Sequence, residues 1–176
     1  MRTADSLHRI TNCLLDVSRL EEGQMPITRS WCDLGALATQ VCHEMSALAF
    51  DRKLICDAQP VRIRCDEELI GRVLSNLISN GFKHTAIRGE LHVTVTARAA
   101  GARVAVQDEG PGVPAEVRPR LFEKFAAVSL RKEREYHSVG LGLAFCKLAV
   151  QAHGGAIGVD SAPGGGSIFW FDLPGQ

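Results

Sequence analysis

The stretch Leu74-Ser75-Asn76-Leu77-Ile78-Ser79-Asn80-Gly81-Phe82-Lys83-His84-Thr85 decides how the chain reads. It closes a segment, 66–84, in which Leu69, Ile70, Val73, Leu74, Leu77 and Ile78 recur at helical spacing. At about 100° per residue these side chains share one broad apolar face. Asn80 falls just inside the edge of that face, with Asn76 and Lys83 along its border. An amide there needs a partner, because burying a polar group without one is unfavourable. Its carbonyl oxygen is a hard ligand suited to Mg2+, and the lysine supplies charge for a phosphate. The alternative is that both amides merely satisfy backbone groups in the core.

On either side of this helix the pattern alternates between helix and strand. Leu7, Ile10, Leu14, Leu15, Val17 and Leu20 predict a helix over 3–22, stopped by Gly23 and Pro26. Its polar complement, Arg2, Asp5, Arg9, Asp16 and Arg19, is expected to face away. A lone helix cannot bury such a stripe, so it needs the rest of this chain or another chain. A short strand is expected in 27–32. Asp33 then reads as the N-cap of a helix carrying Leu34, Leu37, Val41, Met45 and Leu48. Segments 53–57 and 61–65 read as strands around Pro60. Residues 90–98 and 103–107 alternate cleanly, with Gly101 marking a hairpin. Residues 141–152 return to helix. Two strands, 155–160 and 167–173, are joined by Pro163-Gly164-Gly165-Gly166. Hairpins and helices in this order predict an α+β fold: a two-layer sandwich of a mixed, mostly antiparallel sheet with helices on one face, preceded by one N-terminal helix.

Three further features carry chemistry. Asp108-Glu109-Gly110-Pro111-Gly112 follows an apolar strand. The carboxylate accepts hydrogen bonds and can read an exocyclic amine, while the glycines let backbone approach a ligand. Taken alone, this is also an ordinary surface turn. Gly140-Leu141-Gly142-Leu143 opens a helix, where free N–H groups favour an anion such as phosphate. Leu121-Phe122-Glu123-Lys124-Phe125 offers two aromatic anchors before a polar, irregular stretch.

In this order, LSNLISNGFKHT (74–85), DEGPG (108–112), LFEKF (121–125), GLGL (140–143) and GGGSIFWFDLP (164–174) resemble the ATP-binding domain of sensor histidine kinases. That domain belongs to the wider gyrase, heat-shock chaperone and MutL-type ATPase superfamily. The resemblance covers about 33–174. Leu14 to Gly23 also looks like the end of the second helix of a kinase dimerisation hairpin, which sets the expected boundary: a remnant of that helix over 1–26 and the ATP-binding domain over 27–176.

The resemblance implies the following roles. Asn80 holds Mg2+, Asn76 supports the triphosphate, and Lys83 lies near the phosphates, so Asn76 and Lys83 are the expected catalytic residues. His84 lies close to the nucleotide. Asp108 binds the adenine amine, with Gly110 and Gly112 permitting close approach. Gly140, Leu141, Gly142 and Leu143 line the phosphates, and Ser167 reaches adenine through water. Residues 126–139 form a mobile lid whose Arg131, Lys132 and Arg134 can meet the γ-phosphate. Members that hydrolyse ATP carry a glutamate where Asn76 stands. An amide cannot act as a base, so transfer to a protein nucleophile fits better than hydrolysis. His137-Ser138 replaces a further glycine pair of the family. The acceptor-histidine segment is expected upstream, and His8 does not have its context.

The implied reaction is transfer of the ATP γ-phosphoryl group to a histidine, then to an aspartate on a response-regulator receiver domain. The full-length protein is expected to be a homodimer through its N-terminal helix. A serine kinase of the anti-sigma type and an inactive pseudokinase serving as an interaction module are the alternatives.

Composition agrees with such a domain. The 176 residues hold 20 basic and 20 acidic side chains, so no basic excess points to nucleic acid. No apolar run approaches a membrane span and the start lacks a signal-peptide core, so a cytoplasmic location is expected, whether or not the full-length parent is membrane-anchored. Cys13, Cys32, Cys42, Cys56, Cys65 and Cys146 form no CxxC pair. They read as reduced, mostly buried thiols, with a redox pair or metal site as the alternative.

Overall fold

A computed structural model describes the backbone of residues 2–10 and all atoms of residues 11–126 and 140–175. Its elements run α1 (Arg2–Glu21), β1 (Ser30–Asp33), α2 (Leu34–Ser46), β2 (Lys53–Ala58), β3 (Arg62–Cys65) and α3 (Glu67–His84). They continue through β4 (Glu90–Arg98), β5 (Gly101–Asp108), a short 3-10 turn (Arg118–Arg120), α4 (Gly142–Ala152), β6 (Ala156–Ser161) and β7 (Ser167–Pro174).

A five-stranded sheet has the order β2-β4-β5-β7-β6, with β2 parallel to β4 and every other pair antiparallel. β1 and β3 form a separate antiparallel ribbon. The expected α+β sandwich is therefore present, with the ribbon as an addition. Gly101 opens β5 rather than sitting in the turn, since Arg98 pairs directly with it. Inward residues of the sheet, such as Val93, Val95, Val104, Val106, Phe169 and Phe171, meet α2, α3 and α4 in one core.

Two helix starts, those of α2 and α3, are capped by aspartate. Asp33 accepts hydrogen bonds from the N–H groups of Gly35 and Ala36, and Asp66 accepts from Leu69. Asp66 also holds the N–H of Thr28, and its own N–H donates to Nε2 of buried His153 at 3.0 Å. Nδ1 of His153 bonds the carbonyl of Ala149 at 2.7 Å, so the neutral ring donates at one nitrogen and accepts at the other. This bond set ties the start of α3 to the end of α4. The α2 pattern ends early: the helix stops at Ser46, and Leu48 is exposed.

The apolar stripe of α1 divides between two surroundings. Val17 and Leu20 are buried in the core beside α4, whereas Leu14 and Leu15 are exposed. Asp16 does not face away as its polarity suggested. It turns inward and pairs with Arg72 of α3, whose guanidinium lies 4.5 Å from the ring centre of Phe145. Glu21 pairs with Lys124 at 2.5 Å. The chain's own helical layer thus takes one side of the stripe.

The six cysteines are free thiols that lie near one another in twos. Cys32 contacts Cys65 across the ribbon, Cys42 contacts Cys56 between α2 and β2, and Cys146 lies near Cys13. Burial pushes Cys42 and Cys65 up to about 12 and raises Cys13, Cys32 and Cys146. Among the described residues no group of three or more ligands could hold a metal ion, and no helix is long and apolar enough to cross a membrane.

Candidate functional site

The polar strip of α3 faces the C-terminal end of β5, the entry to β7 and the start of α4. Leu69, Ile70, Val73, Leu74, Leu77 and Ile78 are all buried, which fixes the rotation of the helix. Asn76 and Asn80 are then half-buried one turn apart, with His84 one turn further and Lys83 exposed beside it.

Asn76 donates its Nδ2 to the carbonyl of Arg72 at 3.0 Å, so half of its amide does satisfy backbone. Its Oδ1 stays on the other side, against Gly142: a Cβ on that glycine would sit 3.2 Å from it. This contact brings α3 to the first turn of α4. Leu141 is the N-cap of α4, has its side chain in the core, and makes no side-chain cap bond. No acidic residue stands in that first turn, unlike the start of α3 with Glu67 and Glu68. Among the described residues, the N-terminal N–H groups of α4 therefore have no side-chain acceptor, an arrangement that favours an anion. Gly140 precedes them with φ 72°.

At the far end of the strip, Asp108 ends β5 and is 2% exposed. Its Oδ1 accepts the N–H of Gly110 at 2.8 Å, and its carboxylate accepts a second backbone bond from Ser167, its partner across β5 and β7. Burial raises the carboxyl above its ordinary value, against the lowering effects of these two bonds and of His84. A carboxylate has about four acceptor positions, so capacity remains for an amine. Burial lowers His84, Asp108 opposes that shift, and Lys83 adds to it. The ring is therefore held neutral beside the carboxylate.

Glycines shape the space between these groups. A Cβ on Gly110 would lie 2.7 Å from Asp108 Oδ1 and 3.0 Å from the carbonyl oxygen of His84. Gly166, at φ 89°, crosses so close to the Asp108 carbonyl that a Cβ would stand 1.9 Å from its oxygen. Gly112, at φ 79°, lies against Gly166 in turn. Thr85 Oγ1, at the end of α3, is buried without a hydrogen-bond partner among the described residues.

The structure thus brings Asn76, His84, Asp108, Gly110, Gly112, Gly142 and Ser167 to one edge of the sandwich, with Asn80 between Asn76 and His84 along α3. Gly140, Leu141 and Leu143 frame the same helix start. Of the two phenylalanines of 121–125, Phe122 is buried and meets Phe169 edge-on at 6.4 Å, whereas Phe125 is more exposed, at φ 60°. The lid beyond Ala126, with Arg131, Lys132, Arg134 and His137-Ser138, lies outside the described residues. Two features escaped the sequence reading. The triple glycine 164–166 signalled only a turn, yet Gly166 is a wall of the site; Arg72 gave no signal at all, because its link to Asp16 spans 56 positions.

The chain belongs to the histidine kinase-, DNA gyrase B-, and HSP90-like ATPase family, whose model matches residues 65–176. Its relatives are sensor histidine kinases, and it takes its place among their catalytic domains. It is 34% identical to hybrid signal transduction histidine kinase D of Dictyostelium discoideum over 98% of this chain and 12% of that protein. It is 34% identical to the adaptive-response sensory kinase SasA of Crocosphaera subtropica over 96% of this chain and 45% of that protein. The crystal structure of full-length ShkA in complex with AMPPNP superimposes with a TM-score of 0.85 at 30% identity, covering 98% of this chain and 36% of that one. The chain thus spans less than half the length of these relatives.

Proposed function

We propose that this chain binds Mg-ATP at the edge formed by α3, β5, β7 and α4 and donates the γ-phosphoryl group to a histidine of a dimerisation domain, for onward transfer to a receiver-domain aspartate. The observation that carries the reading is the convergence of a buried carboxylate, a half-buried amide strip and an uncapped helix N-terminus on one glycine-walled edge. The sensor kinases it resembles and the AMPPNP complex of ShkA support the same choice of nucleotide.

In this reading Asp108 accepts the adenine amine, and Gly110, Gly112 and Gly166 leave room for the flat base beside it. Ser167 reaches the base through water, and neutral His84 packs near it without competing for the phosphates. The free N–H groups at Gly140 to Leu143 take phosphate oxygens. Asn76 Oδ1 and Lys83 stand along the triphosphate. Mg2+ would be held by Asn80 Oδ1, and it neutralises phosphate charge when bound. One amide oxygen suits magnesium, which keeps waters and substrate oxygens as its other ligands. Catalysis is then positioning and charge neutralisation, with no protein base at Asn76.

We further take residues 1–26 as the end of a dimerisation helix and 27–176 as the catalytic domain, in a parent that is a homodimer with a cytoplasmic kinase region. Exposed Leu14 and Leu15 supply a surface for a second helix pair. Titration calorimetry tests the nucleotide step: the chain should bind Mg-ATP, and Asn80→Asp should weaken binding. No heat and no thermal shift at millimolar Mg-ATP would leave the fold as a pseudokinase interaction module.

A further inference from the structure

Away from the nucleotide edge, a cavity of about 440 Å3 runs along β6, the last strand of the sheet. Its floor is Phe122, Ile157 and Val159; its rim carries Arg118, Lys147 and Gln151. Ile157 and Val159 lie opposite Phe171 and Phe169, so they point to the helix-covered face and leave an opening between strand and α4.

Two properties set what fits there. First, the outer edge of β6 has no strand partner among the described residues. Its first part lacks the usual protection of an exposed edge: residues 155–159 contain no charge and no proline, and Asp160 is the first charge along it. Gly158 cannot carry a side chain, since a Cβ would lie 2.5 Å from the Trp170 ring, so nothing shields the backbone at that point. Second, the rim is positive and has no acidic partner among the described residues. Among the described residues Arg118 donates to neutral acceptors, the Val113 carbonyl at 3.0 Å and Ser161 Oγ at 2.7 Å. Lys147 is in no ion pair among the described residues. α4 contains no acidic residue, and Asp160, the sole acid of β6, holds the Trp170 indole N–H at 2.7 Å.

We propose that this groove docks an extended acidic segment of a partner protein, which adds to the sheet beside β6 as a sixth strand. Backbone pairing along 155–159 supplies affinity, alternate apolar side chains enter over Phe122, Ile157 and Val159, and acidic ones meet Lys147 and Arg118. A small anion would use the two cations but not the strand edge. Lys147 and Gln151 sit about 8–14 Å along α4 from Gly142, so docking leaves the nucleotide edge open.

Fluorescence anisotropy with a labelled short peptide of alternating glutamate and valine tests this on the whole chain. Saturable binding is expected, with none for the lysine–valine counterpart. Lys147→Glu should weaken it about tenfold or more and Lys147→Gln less, both keeping the thermal shift with Mg-ATP. Amide hydrogen exchange should slow along 155–159 in the peptide complex. Equal binding of both peptides, or no effect of either Lys147 variant, would overturn the proposal. So would displacement of the peptide by inorganic triphosphate without slowed exchange, which would make this a simple anion site.

Discussion

Asp108→Asn separates recognition from folding at the buried end of β5. In the wild type the carboxylate has two backbone donors, Gly110 and Ser167, and it is almost wholly buried. The amide keeps an acceptor oxygen but places an NH2 group where an incoming amine needs an acceptor. Losing a hydrogen bond to a charged group is worth about 1.5–3 kcal/mol, or roughly 10- to 150-fold in affinity. Mg-ATP binding should fall by that range in titration calorimetry. Guanine presents a carbonyl oxygen where adenine presents the amine, so Mg-GTP should lose much less or gain. In the apo fold two effects oppose: the amide has one acceptor oxygen for two backbone donors, but it carries no buried charge. The folded carboxyl is raised above its unfolded value, so its ionisation opposes folding at neutral pH, and that penalty is absent below the ordinary carboxylate range. Acidification should therefore favour the wild type relative to the variant, because only the wild type carries that penalty at pH 7. Equal losses for ATP and GTP, or wild-type affinity for ATP, would refute the assignment of Asp108 as the reader of the base.

Gly166→Ala should destabilise the domain by about 2–4 kcal/mol in urea unfolding, because the added methyl meets a backbone carbonyl at a left-handed φ. Burial lowers His153 below the ordinary histidine value, so its neutral form supports the fold above pH 6.5 and that support is lost as pH falls through the folded value. His84 is shifted the same way, so the test is subtraction: His153→Ala should cost about 1–3 kcal/mol, by leaving the Asp66 N–H unpaired, and flatten the acid limb of the stability profile relative to wild type. Arg72→Met removes the partner of Asp16, and hydrogen exchange in residues 11–21 should speed up with a global loss of no more than about 1 kcal/mol. Unchanged exchange there would show that Val17 and Leu20 alone hold α1.

The order of elements was readable because each carries a strong local cause. The alternation in 90–98 and 167–173, the aspartate caps at 33 and 66, and the six apolar positions of α3 all act within a few residues, and the structure has each of them. The candidate site was readable for a related reason. An amide at the border of an apolar face, and a carboxylate followed by two glycines, conflict with plain core packing and so stand out from their neighbours. Their roles remained open until geometry could be seen, and Asn76 shows why: one half of its amide bonds backbone as any core amide does, while the other half faces α4.

Sequence by itself determined the layers, the caps and the polar strip, because these depend on periodicity and on interactions that act over one or two turns. Only the tertiary structure decided that Gly166 walls in Asp108, that Asp16 turns inward to Arg72, that the cysteines lie near one another in twos, and that, among the described residues, β6 ends the sheet beside two cations without an acidic partner. Each of these joins residues tens of positions apart. Such contacts follow from how the layers close on one another, and local pattern carries no record of that closure.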